Sequence, residues 1–127
     1  MNPILLVGVG GAIGAILRYI LGGVIQSRFA GFPFGTLLIN FTGSFALGTI
    51  MYLTEYSAGF SPDTRLFLTI GVLGAYTTMS TFGYESFRLL ENGENLSFAL
   101  NLLATNLLVL LAIYLGRTLA LKLTGVV

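Results

Sequence analysis

The sequence predicts an all-α integral membrane protein with four transmembrane helices, the third of them broken mid-membrane. Three observations carry that prediction. Of the 127 residues 55% are hydrophobic and 9% charged, where a soluble domain has about a quarter charged, and the mean hydropathy is +0.90. The apolar residues gather into four stretches, about 4–25, 35–56, 66–90 and 96–121, each near the ~20 residues that cross a bilayer. Finally, the third stretch carries Gly71 and Gly74, then Thr77, Thr78, Ser80 and Thr81, where a plain membrane helix would hold Leu, Ile and Val. Ser and Thr offer the backbone competing hydrogen bonds. Broken backbone at bilayer depth survives only where protein or a water-lined path covers it. The four spans use nearly all of residues 1–127, so a single membrane domain is expected.

Composition removes several function classes. There is no cysteine and no histidine, which excludes disulfides, thiol chemistry and the usual zinc sites. The net charge of +1 gives no reason to expect nucleic acid. No carboxylate pair lies inside a span and no phosphate-cradling loop leads to a basic residue, so neither an enzyme nor an organic cofactor is expected.

The first span opens within three residues of Met1 without a basic leader, and reads as a membrane helix, not a signal peptide. Gly10 and Gly14 sit four apart, the spacing of a small-residue contact face, and packing is their favoured reading. Arg18 is costly inside a span unless it snorkels, pairs or faces a buried polar surface. It reads as a structural anchor or as a functional charge.

A polar link, Gln26 to Pro33, leads to the second span, where Thr36, Asn40 and Ser44 recur at i, i+4 and i+8 on one helix face. A buried carboxamide needs a partner, so Asn40 bonds a neighbouring helix or faces a polar path. The next loop, Ser57 to Arg65, offers Ser61 as an N-cap with Pro62 at the first helical position.

The third span then runs through Gly71–Phe82, read as the break or as small residues for close packing. Phe82 and Glu85 share a face beyond it, with Glu85 read as a solvated or paired surface acid. After the turn Glu91 to Asn95, the fourth span repeats the second: Ser97, Asn101 and Thr105 fall at i, i+4 and i+8. Both stripes are neutral donors and acceptors, suited to passing a small solute.

Four spans are few for a wide pore, so an oligomer is expected. Arg65 and Lys122 would lie on one side of the membrane, Arg28 and Arg88 on the other. Positive charge sets orientation. So even a balance allows both orientations, which suggests an antiparallel homodimer.

Three motifs add up to a resemblance. GGxxGAxxRY at Gly10–Tyr19, NxxGSF at Asn40–Phe45 and GxxGxxTTxSTF at Gly71–Phe82 together resemble the Fluc (CrcB) family of fluoride ion channels. The likeness covers essentially the whole chain. It implies a fluoride-selective passive channel in the cell membrane (the bacterial plasma or inner membrane), exporting fluoride to lower its internal concentration. It also implies an antiparallel dual-topology homodimer with two pores and a central structural sodium ion. By that resemblance the backbone carbonyls of Gly74 and Thr77 hold the sodium. Asn40 is the pore asparagine with Thr36 one turn before it. Phe82 is the second ring of a phenylalanine pair facing fluoride, and Met79 stands at the first. Asn101 and Thr105 fall where the family often has a tyrosine and a serine, and Ser80 and Thr81 add hydroxyls to the lining. Glu85 matches the acidic position past the rings, and Arg18 the arginine of the first span.

Two rivals differ in pattern. Small multidrug-resistance transporters have a glutamate deep in the first span, where this chain has Gly and Ala and then Arg18. A membrane scaffold would use every polar residue as interhelical glue, and leaves the break unexplained.

Overall fold

The computed structural model describes residues 1–57 and 59–126. Ala58, inside the expected second loop, and Val127, the last residue of the expected domain, lie outside the described residues. Helices joined by short links make up the described residues, with four runs long and apolar enough to cross a membrane. Helix α1 is Pro3–Gln26, capped by Asn2, whose side chain accepts from the Ile4 N–H. Helix α2 is Phe34–Tyr56. Their link is tied down by Gln26: its Nε2 donates to the Phe29 and Phe32 carbonyls, and its Oε1 accepts from the Gly35 N–H. The amide thus replaces ladder partners that a short link cannot supply.

The third run, Pro62–Glu91, is a composite. It starts four residues before the expected position 66, because Ser61 caps it through the Thr64 N–H and Pro62 fits the first turn. α3 (Pro62–Leu66) passes into a π-helical segment, Phe67–Leu73, then a single turn, α4 (Gly74–Tyr76). Thr77 and Thr78 are fully extended, at φ −76°, ψ 156° and φ −151°, ψ 117°. Helix α5 restarts at Met79 and runs to Glu91, its first turn capped by the Thr78 hydroxyl at 3.2 Å from the Thr81 N–H. α6 (Asn95–Thr124) is the longest helix, closed by Gly125 in the left-handed conformation.

Backbone proximity organises the bundle. α2 and α6 form its most extensive seam. A Cβ added at Gly48 would come 2.9 Å from the Ile113 carbonyl oxygen, and one at Gly116 would come 2.7 Å from the Thr49 nitrogen. α1 lies along the third run in the same way. A Cβ at Gly10 would meet the Phe67 carbonyl oxygen at 2.8 Å, and one at Gly14 would overlap the Val72 carbonyl. In lipid, where apolar side chains gain little by leaving the solvent, such close approach is a main source of helix association. Leu, Ile and Val side chains accordingly line the outside of α1 and α6 (Ile4, Val9, Ile16, Ile20, Leu103, Leu107, Leu110).

Candidate functional site at the helix break

The break is closed by a side chain from α2. Asn40 Nδ2 donates to the Thr78 carbonyl at 3.0 Å, and its Oδ1 accepts from the Thr78 N–H at 2.8 Å. A carboxamide carries one acceptor and two donors in a plane, so it pairs with extended Thr78 as a neighbouring strand would. This explains why the helix can stop here. The Thr78 N–H would otherwise serve the Gly74 carbonyl four residues back, and instead it points at α2. Asn40 and Thr78 are both buried.

The face of α1 that begins with Gly10 and Gly14 continues, at the same spacing, to Arg18. The two glycines bring the helices together, and Arg18 then reaches the open end of α4. Its Nη1 lies 3.4 Å from the Thr77 carbonyl oxygen. The arginine so covers one of the carbonyls freed at a helix C-terminus. Gly74 remains on the exposed side of that turn.

Two cavities flank the Asn40–Thr78 pair. One, of about 420 Å³, is bordered by Arg18, Thr36, Thr78, Thr81 and Glu85 among others. The other, of about 200 Å³, is bordered by Asn40, Ser44, Met79, Phe82 and Thr105, again with Thr78. The Thr36–Asn40–Ser44 stripe therefore runs from the first cavity into the second, and Thr78 borders both. Of the sequence-predicted residues, Thr36, Thr81 and Glu85 gather on one side, and Asn40, Met79, Phe82 and Thr105 on the other. Ser80 and Asn101 line neither. Ser80 is exposed, with its hydroxyl 3.3 Å from that of Thr78.

One expectation needs correction. Glu85 is not a solvated or paired surface acid: it is half-buried against the first cavity, and its Oε2 is buried without a hydrogen-bond partner. The reason is that α5 turns its Glu85 face inward toward α1 and α2. Asn101 borders neither cavity. It is 1% exposed, donating from Nδ2 to the Ser86 hydroxyl at 2.9 Å and accepting at Oδ1 from the Thr105 hydroxyl at 3.3 Å. Ser86, in turn, donates to the Phe82 carbonyl at 2.7 Å.

Sequence reasoning passed over two residues. Thr78 counted only as one of several hydroxyls, though its capping position just before Met79 marked the restart of a helix. Ser86 gave no signal, since a serine on an amphipathic helix reads as surface. Among the described residues no group of three or more Asp, Glu, His or Cys side chains is placed to hold a metal ion.

Comparison with known proteins agrees with this architecture. The sequence matches the family described as CrcB-like protein, Camphor Resistance (CrcB), over residues 5–117. It is 59% identical over 121 residues to "Fluoride-specific ion channel FluC 3" of Methanosarcina barkeri, covering 95% of this chain and 92% of that one. It is 55% identical over 125 residues to "Fluoride-specific ion channel FluC 1" of Methanosarcina acetivorans, covering 98% and 95%. With "Fluoride-specific ion channel FluC" of Methanococcus aeolicus the identity is 44% over 121 residues, covering 95% and 97%. Matched along almost its whole length, this multi-pass membrane protein belongs to the CrcB/FluC family that its motifs resemble.

Proposed function

We propose that the protein is a fluoride-selective passive ion channel, exporting fluoride across the cell membrane, and works as an antiparallel dual-topology homodimer with two pores. The observation that carries this reading is the α2 stripe. Thr36 borders one cavity, Asn40 and Ser44 the other, and every polar group on the stripe is neutral. Fluoride holds its water tightly, so a path must replace that water with closely spaced donors; hydroxyls and amide N–H groups can do so. Conduction also needs sites weak enough to release the ion. Asn40 spends one N–H and its oxygen on Thr78, and keeps a second N–H for an anion. Phe82 borders the same cavity, and the edge of an aromatic ring is the positive end of its quadrupole. Thr81 and Thr105 continue the donors on either side. No proton-coupling acid lies on the stripe itself, which favours passive flow.

The structural sodium of this reading would rest on the Gly74 and Thr77 carbonyls. Neutral carbonyl oxygens suit a hard cation, and the diverted Thr78 N–H leaves Gly74 without its helical donor. One copy offers only these two oxygens, one of them already beside Arg18, so the ion fits only where a second copy adds its own pair. Bound there, it would tie the two breaks together.

Efflux from liposomes containing only this protein tests the proposal, with fluoride and chloride each followed by electrode. Rapid fluoride loss while chloride stays is the expected result. Retention of both ions would overturn it in favour of a scaffold, and efflux only under an imposed proton gradient would point to a coupled transporter.

A further inference from the structure

Ser86 has two hydrogen-bond partners that belong to different helices. Its hydroxyl donates back to the Phe82 carbonyl at 2.7 Å and accepts from Asn101 Nδ2 at 2.9 Å. A serine bonding the carbonyl four residues back is ordinary by itself. Here Ser86 is 3% exposed and Asn101, its second partner, on α6, is 1% exposed. Thr105 then fixes the other end of the Asn101 amide at 3.3 Å. The result is a buried line from Thr105 through Asn101 and Ser86 to the backbone of Phe82. This matters because α5 is otherwise lightly held. It is severed from α4 at Thr77–Thr78, and its seam with α6 is far shorter than the one α2 makes.

We propose that Ser86 and Asn101 form a positioning pair that fixes the depth and rotation of α5, and so sets the Phe82 ring beside the ion's path. Asn101 then acts on conduction through Ser86, not as a lining donor. The pairing suits that task. Phe82 borders the ~200 Å³ cavity with Asn40, Ser44 and Thr105, whereas Asn101 stands behind that wall, its amide bonded to Ser86 and Thr105. Asn40 pins only the start of α5, at its Thr78 cap; once the Ser86–Asn101 contact is lost, the body of the helix can rotate or tilt about that end. The ring edge would move with it, and a wider or softer constriction discriminates less between a small anion and a larger one.

The inference rests on the fluoride-channel reading, and one experiment separates the two. Wild type, Ser86→Ala, Asn101→Ala and the double variant are reconstituted, and the initial fluoride and chloride efflux rates are measured on samples that remain monodisperse. Each single variant is expected to slow fluoride efflux about tenfold, and the double to be no slower than the slower single, as for two residues acting through one contact. The fluoride-to-chloride ratio should fall alike in both singles, and Ser86→Thr, which keeps the hydroxyl, should recover most of the rate and the ratio. Should Ser86→Ala fail to give a monodisperse sample, Ser86→Cys takes its place in the same cycle. Additive losses in the double variant would overturn the pair. So would a slow Asn101→Ala beside a fully active Ser86→Ala, which would return Asn101 to direct contact with the ion. Absence of fluoride efflux from wild type fails the channel reading itself.

Discussion

The two arms of the third transmembrane run are held by different physics. The arm before the break, Pro62–Tyr76, lies backbone to backbone against α1. A Cβ at Gly71 would come 3.1 Å from the Gly10 Cα, and one at Gly14 would overlap the Val72 carbonyl. The arm after it, Met79–Glu91, has no such approach: a Cβ at its glycine, Gly83, would meet nothing within 4 Å. That arm is keyed by hydrogen bonds instead, from Asn40 to Thr78 at one end and from Asn101 to Ser86 further along. With no hydrophobic force between helices in lipid, close packing and polar pairing are the two main means available. Close packing gives a fixed base. Polar keys give an arm whose setting depends on a few atoms, which is where a selectivity element can be tuned.

The strongest way to break that contrast is to add bulk to one arm and then the other. Gly14→Leu should destabilise by about 3 kcal/mol or more, the upper end of overpacking costs, because its first carbon already collides with fixed backbone. Gly83→Ala should lose nothing, since alanine is favoured over glycine in a helix by about 1 kcal/mol. Unfolding in mild detergent, followed by helical circular dichroism against added denaturing detergent, would measure both. A tolerated Gly14→Leu would mean that α1 does not depend on close approach.

Removing a key comes next in size. Asn40→Leu leaves both the N–H and the carbonyl of Thr78 buried without partners, and each such group costs about 1–3 kcal/mol. Fluoride flux should vanish as well, since the same change removes the free N–H. Asn40→Asp keeps the acceptor for the Thr78 N–H but loses the donor and brings a negative charge, so it should fold better than Asn40→Leu and still conduct no fluoride. Full conduction by Asn40→Leu would show that the pairing at Thr78 is only a joint and that ions pass elsewhere.

Much of this was legible in the sequence, for reasons that differ by residue. The four spans and the break follow from hydropathy and from a cluster of hydroxyls where lipid would favour leucine. Gly10 and Gly14 were legible as a packing face because the spacing alone brings small residues to one side. The role of Asn40 was legible only as a choice between glue and path. The structure shows it bonded to the broken backbone and bordering a cavity, which bears out the glue and leaves the path a proposal. Glu85 was misjudged because periodicity gives the face of a helix and not what that face meets. Whether α5 turns its acid toward solvent or toward α1 depends on the change of direction at Thr77 and Thr78, two extended residues whose effect no local pattern carries. Ser86 stayed hidden for the same reason, since its meaning comes from a residue fifteen positions away on another helix.

A small effect on stability, with a separate effect on selectivity, is expected at Met79. It begins the keyed arm, is 74% exposed, and borders the cavity that Phe82 also borders. Met79→Phe meets no fixed backbone here, so stability should stay within about 0.5 kcal/mol, as for surface changes away from packed features. Conduction is another matter. A thioether offers a soft, polarisable surface but no positive ring edge, so a second aromatic edge facing Phe82 should strengthen the preference for an anion at that point. The fluoride-to-chloride efflux ratio should rise while the unfolding curve stays in place. An unchanged ratio would mean that the start of α5 stands away from the ion's path, and that the keys at Thr78 and Ser86 serve Phe82 alone.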